Sequence, residues 1–248
     1  MSRNRLTKRF ISVVFPASCC ICQQLLANGD SVAGDPVADF CSSCRGQLSD
    51  PQADRCPKCG AEGPLLPSGT QCALCQQPEL SFAEAIAIGN YRGLLKQEIL
   101  RMKRERNETL ALQFGRLLGN ALKNTNFINA SLVTPIPSHW WRRLKNGFQA
   151  ADLISDGIHQ VTGIPKNNRI LKCTRPTAKQ GQLSRPQRFA NRKGALRIRG
   201  GNIEGSSILL VDDVMTSGAT AEQATQVLLE AGAERVYMAV VARGVGVS

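Results

Sequence analysis

The sequence predicts an α/β protein: a mainly parallel sheet with helices on both faces, preceded by a small metal-bound, cysteine-rich domain. Three observations carry this. Nine of the ten cysteines lie between Cys19 and Cys75. From Phe82 onward, apolar runs of strand length alternate with segments of helical periodicity. One such run, "ILLVDDVMTSGATAEQA" (208–224), ends in two carboxylates and passes through hydroxyls and a glycine into a helix-like segment.

Eight of the nine clustered cysteines form four CxxC pairs, Cys19/Cys22, Cys41/Cys44, Cys56/Cys59 and Cys72/Cys75. Two residues between thiolates let one tight turn aim both sulfurs at a single tetrahedral ion, and two such turns complete a four-cysteine site. Cys22 and Cys41 are 18 residues apart and Cys59 and Cys72 are 12 apart, counting the residues between them. The pairs therefore group as two successive zinc ribbons, within a domain expected over residues 1–79. Four thiolates leave no open coordination position, so both zinc ions are expected to be structural. Cys20 is left out of the ligand set, and Cys173 reads as a small buried residue.

The remainder, 80–248, divides in order. "FAEAIAIGNY" (82–91) reads as a strand, and "LLKQEILRMKRER" (94–106) and "TLALQFGRLLGNALK" (109–123) as helices. "SLVTPIP" (131–137) is a strand running into a proline-bounded loop. "FQAADLISDGIHQVTG" (148–163) is a helix stopped by Gly163 and Pro165. "SILLVDD" (207–213) is a buried strand, "ATAEQATQVLLEAGA" (219–233) a helix and "RVYMAVVAR" (235–243) a final strand. In such sheets ligands gather at the carboxyl ends of the strands. Asp212 and Asp213 are expected to cap one of them. Thr216, Ser217, Gly218, Ala219 and Thr220 would then turn into the helix, offering N–H groups, hydroxyls and a positive dipole end to a phosphate. Carboxylates suit the vicinal hydroxyls of a sugar. Phosphate on one side and a diol on the other describe a ribose 5-phosphate.

The chain carries a formal net charge of +12. Residues 139–199 hold fourteen Lys and Arg against Asp152 and Asp156, so this segment alone accounts for the excess. Such a field gathers polyanions or phosphorylated small molecules. Aromatic residues make up only 5% of the chain, which argues against a base-stacking platform. No apolar run approaches a membrane span, and the basic, proline-interrupted start is expected to be a cytosolic N-terminus with no stable membrane insertion.

"ILLVDDVMTSGAT" resembles the 5-phosphoribosyl-1-diphosphate (PRPP) motif of type I phosphoribosyltransferases. "YRGLLKQEILRMKRERN", "VTPIPSHWWRRLKNGFQAADLI" and "TRPTAKQGQLSRPQRFANRKGAL", with the CxxC pairs in front, resemble the ComF family within that superfamily. The resemblance implies a sheet of the type I phosphoribosyltransferase kind, PRPP or another phosphoribosyl ligand bound with Mg²⁺, and a role in handling imported single-stranded DNA alongside other competence proteins. Pro135, Ile136, Pro137 and Ser138 would form a pyrophosphate loop. Arg142, Arg143 and Lys145 beside it, and Arg185, Arg188, Arg192 and Lys193 on a flexible loop, would contact nucleic acid. Gln180 and Asn191 would share that loop. Where the family reads Arg-Gly-Phe-Asn-Gln, this chain has "NGFQA", and Asn146 lacks the charge an arginine gives to a diphosphate. Two functions therefore stand: a binding protein for DNA with a phosphoribosyl pocket, or an active Mg-dependent phosphoribosyltransferase with Asp212 and Asp213 as catalytic groups.

Overall fold

The computed structural model describes residues 18–26, 40–49, 53–75, 80–137, 147–174 and 194–245. Four strands, β1 (Ala85–Asn90), β2 (Leu132–Pro135), β5 (Ser207–Met215) and β6 (Arg235–Arg243), form one sheet in the order β1-β6-β5-β2. Every pairing in it is parallel. The two central strands have the most continuous apolar runs, as burial on both faces requires. Ile208, Leu209, Leu210 and Val211 are fully buried, as are Met238 to Ala242. Leu210 registers with Met238 and Val133 with Leu209.

β5 runs two residues beyond the expected end. Val214 and Met215 pair with Ala242 and Arg243, because the apolar pattern resumes after the acids and the neighbouring strand is long enough to receive it. Asp212 and Asp213 therefore lie inside the last stretch of β5 and do not cap it.

One face of the sheet carries α2 (Gly93–Glu105), α3 (Glu108–Leu122) and α4 (Ala150–Thr162). In α3, Asn107 caps the start by accepting from the Leu110 N–H, and Leu110, Phe114, Leu118 and Leu122 recur at helical spacing, each fully buried. α4 ends at Gly163, whose left-handed φ of 73° suits a residue without Cβ. α3 and α4 touch through their backbones: a Cβ on Gly115 would lie 2.1 Å from the Ile154 carbonyl oxygen. The opposite face carries α5 (Ala219–Glu230) and an antiparallel hairpin of β3 (Leu171–Cys173) and β4 (Leu196–Ile198). Cys173 is buried in that hairpin.

The N-terminal part contributes a short helix, α1 (Ser42–Leu48), and a 3-10 turn at Ala73–Cys75. Residues 54–62 lie along the outer edge of β1, where Arg55 Nη1 donates to the Ala87 carbonyl at 2.6 Å and Ala85 N to the Pro57 carbonyl at 3.2 Å. Asn90 exchanges two bonds with the Glu62 backbone. An edge that would otherwise offer unpaired backbone groups is thus covered. Among the described residues, no helix is long and apolar enough to cross a membrane.

Candidate functional site

The cysteines meet in the predicted grouping. Cys19, Cys22, Cys41 and Cys44 bring their sulfurs within 4.8 Å of one another, and so do Cys56, Cys59, Cys72 and Cys75. A tetrahedral ion with Zn–S near 2.3 Å places its sulfurs about 3.8 Å apart. The observed separations are 3.7 Å for Cys22–Cys41, 3.6 Å for Cys56–Cys75 and for Cys59–Cys72, and 4.0 Å for Cys72–Cys75. Both groups can therefore hold zinc. Backbone N–H groups point at sulfurs as well: Cys44 N lies 3.4 Å from Cys41 Sγ and Cys72 N 3.2 Å from Cys56 Sγ. Burial pushes the Cys19 thiol up, yet nearby N–H groups outweigh it and leave the group at about 7. In the same group burial holds the Cys44 thiol well above its ordinary value, so thiolate character is not shared evenly among the four sulfurs. Asp and His are absent from both sets.

At the carboxyl end of the sheet, β2 and β5 finish side by side. Pro135 registers with Val211, and Ile136 N donates to the Val211 carbonyl at 2.9 Å. This places the start of the predicted pyrophosphate loop next to the acids. Asp212, Asp213 and Ile136 line one cleft, with Phe148 and Gln149 from the entry to α4 and Lys103, Arg104 and Arg106 from the end of α2. Pro135 and Pro137 are buried beside it. Thr216, Ser217, Gly218, Ala219 and Thr220 line an adjoining pocket that also includes Asp212. The loop reverses at Gly218, with φ 81°, and Gly218 has no side chain to cap α5, while Ser217 Oγ accepts from the Ala219 N–H at 3.4 Å. The first turn of α5 is consequently directed at this pocket with its positive dipole end.

Lys103 was not legible as a site residue. Its Nζ lies 2.7 Å from Asp213 Oδ2, bridging the cleft. Burial pushes the Lys103 ammonium down, but the Asp213 carboxylate outweighs it and holds the group above its ordinary value. Lys103 is therefore cationic at neutral pH. Asp213 N also donates to Asp212 Oδ1 at 2.8 Å, fixing the two acids relative to each other. The cleft thus sets two carboxylates against three cations, an arrangement suited to a ligand with hydroxyls and phosphates. Ser138, Arg142, Arg143, Lys145, Arg185, Arg188, Arg192 and Lys193, with Gln180, Asn191 and Asn146, lie outside the described residues.

Residues 147–245 match the phosphoribosyl transferase domain model. Competence protein F of Haemophilus influenzae is 28% identical over 205 residues, covering 80% of this chain and 88% of that one. DNA utilization protein YhgH of Escherichia coli is 27% identical over 227 residues, covering 90% and 95%. Glutamine PRPP amidotransferase from B. subtilis, solved with ADP and GMP, aligns with a TM-score of 0.36 and 25% identity over 52% of this chain and 26% of that one. The parallel sheet, with its acid pair on β5 and its loop into α5, is a type I phosphoribosyltransferase-like fold. Over most of its length, then, the chain is similar to competence protein F and DNA utilization protein YhgH, and it carries two N-terminal tetra-cysteine groups.

Proposed function

We propose that the cleft binds PRPP together with Mg²⁺, and that the chain serves in handling single-stranded DNA during competence or DNA utilization. One observation carries the pocket reading: the acid pair and the Thr216–Thr220 loop converge on adjoining pockets that share Asp212. Asp212 and Asp213 accept hydrogen bonds from the ribose diol. Carboxylates with ligand phosphates are also the oxygen donors that Mg²⁺ prefers, and the bound ion would neutralise diphosphate charge. The loop N–H groups and hydroxyls hold the 5-phosphate at the start of α5. Lys103, Arg104 and Arg106 face the diphosphate.

The DNA role rests on the names of the relatives, competence protein F and DNA utilization protein YhgH, and on the fourteen basic residues between His139 and Arg199. Arg142, Arg143, Lys145, Arg185, Arg188, Arg192 and Lys193 are the proposed phosphate contacts. The two tetra-cysteine groups of the proposed 1–79 unit hold structural zinc. Calorimetry with PRPP and Mg²⁺ should show binding, while pyrophosphate release with a panel of bases should stay at the protein-free rate. Turnover with any base would replace this reading by that of an active transferase. Absence of PRPP binding would remove the pocket reading.

A further inference from the structure

Glu222, in the first turn of α5, is 6% exposed. Its carboxylate accepts hydrogen bonds from Ser81 N at 2.6 Å, from Ser81 Oγ at 2.6 Å and from Gln226 Nε2 at 2.8 Å. Among the described residues no cation lies within ion-pairing distance of it. A buried carboxylate is costly unless hydrogen bonds or a counter-charge replace its water. Ser81, 141 positions away in sequence, supplies two of those bonds, and the positive end of the α5 dipole adds to them.

The segment that carries Ser81 also reaches the phosphate loop. Leu80 is 1% exposed and packs on Gly218, where a Cβ would lie 3.1 Å from Leu80 Cδ2. Gly218 is the residue at which the loop reverses, and its carbonyl accepts from Glu222 N at 2.7 Å to start α5. The segment is itself fastened to the sheet: Phe82 is fully buried beneath Lys58 Nζ, 5.6 Å from its ring centre, and Ala83 N donates to the Val236 carbonyl at 2.8 Å. At the other end of the loop, the buried Arg243 donates from Nη1 to the carbonyls of Met215 at 2.9 Å and of Thr216. The loop is thus tied at both ends, by Arg243 where β5 finishes and by Leu80, Ser81 and Glu222 where α5 begins. Leu80, Ser81 and Glu222 do not line the phosphate pocket, so they act on it only through the backbone of 216–220.

We propose that Glu222, held by Ser81, is a positioning residue that keeps the phosphate loop formed before a phosphoribosyl ligand arrives. The phosphate half of this inference rests on the pocket reading above; the clamp half does not. With the clamp closed, the loop is ordered in advance and binding does not have to order it. With the clamp open, only the fraction of molecules whose loop is formed can bind, and the apparent Kd rises in proportion. Lys103, Arg104 and Arg106, on the far side of the cleft, belong to the end of α2 and are untouched by the change.

The test uses the full chain as wild type, Ser81→Ala, Ser81→Thr and Glu222→Ala, with circular dichroism to confirm folding. Ser81 is exposed, so its variants should fold even where Glu222→Ala does not. Without ligand, hydrogen exchange read by mass spectrometry should be faster over 216–222 in Ser81→Ala than in wild type and unchanged over 235–243. Ser81→Thr, which keeps the hydroxyl, should match the wild type. Calorimetry should show PRPP with Mg²⁺ weakened by about tenfold or more in Ser81→Ala, the equivalent of one hydrogen bond to a charged group. Pyrophosphate with Mg²⁺ has no 5-phosphate and should bind Ser81→Ala as it binds the wild type. Equal exchange over 216–222 in wild type and folded Ser81→Ala overturns the clamp. Faster exchange with PRPP affinity unchanged, or with PRPP and pyrophosphate weakened alike, overturns the positioning role. If the wild type does not bind PRPP at all, the pocket reading fails and the phosphate half with it, while the exchange measurement still decides the clamp.

Discussion

Replacing Asp213 by Asn separates a ligand-binding acid from a structural one. The change preserves shape and removes the charge that faces Lys103 Nζ at 2.7 Å. The Lys103 side chain is 41% exposed, so solvent screens the pair and its loss should cost the fold at most about 1 kcal/mol. In a chain of this size that lowers Tm by no more than about 2–4 °C. Ligand binding should suffer more. A hydrogen bond from a sugar hydroxyl to a carboxylate is worth about 1.5–3 kcal/mol, and its loss should weaken PRPP by about tenfold to 150-fold. Calorimetry gives the affinity and a thermal melt the stability, on the same preparation. An unchanged affinity with an unchanged Tm would show that Asp213 makes no ligand contact. A Tm lowered by much more than 4 °C would show that it belongs to the framework.

Other predictions concern the metal, the nucleic acid and the titration of the core. Protein purified without chelator should contain close to two zinc per chain by elemental analysis, and Cys56→Ser should lose one; intact disulfides and no zinc would refute the metal reading. Single-stranded DNA should bind with little sequence preference and a log–log salt slope of about −0.7 per phosphate, and neutralising Arg185, Arg188, Arg192 and Lys193 together should flatten the slope by about 2 to 3; no binding at about 50 mM salt, where phosphate contacts are strong, would refute the DNA role. Burial raises the Glu98 carboxyl above 4.5 although Arg101 opposes it. The folded state therefore binds that proton more tightly than the unfolded state, and this contribution to stability is lost as pH rises through the raised value. Urea melts from pH 4 to 7 should show Glu98→Gln gaining on the wild type as pH rises, and a constant difference would refute the assignment.

Local spacing and periodicity made the parts that depend on neighbours in sequence legible. The four CxxC pairs announce both sulfur groups because each tight turn is local, and β6 appears with the predicted bounds because its run is apolar between two terminal arginines. Lys103 and Arg243 were hidden for the opposite reason. Lys103 reads as one charge in a basic helix end until α2 is laid across the cleft, and Arg243 reads as a strand's polar terminus until the end of β5 closes on it through the Met215 and Thr216 carbonyls. The β3–β4 hairpin escaped as well: each strand has three residues, too short for a period to show, and the 22 residues between them are far more than a hairpin turn. α1 was masked by its own cysteine, since "SSCRGQL" is read first as half of a CxxC pair.

The order of the sheet also bears on how the chain is made. β1 and β6 are neighbours, with Ala85 opposite Met238, so the first strand synthesised waits for the last. At about 5–20 residues per second the delay is roughly 8 to 30 s. A nascent β1 would meanwhile present two open edges to other emerging chains. Residues 54–62 are translated before it and cover one edge through Arg55, Pro57 and Glu62. Once those contacts form, only the edge that β6 later fills is left open while the rest of the chain is made.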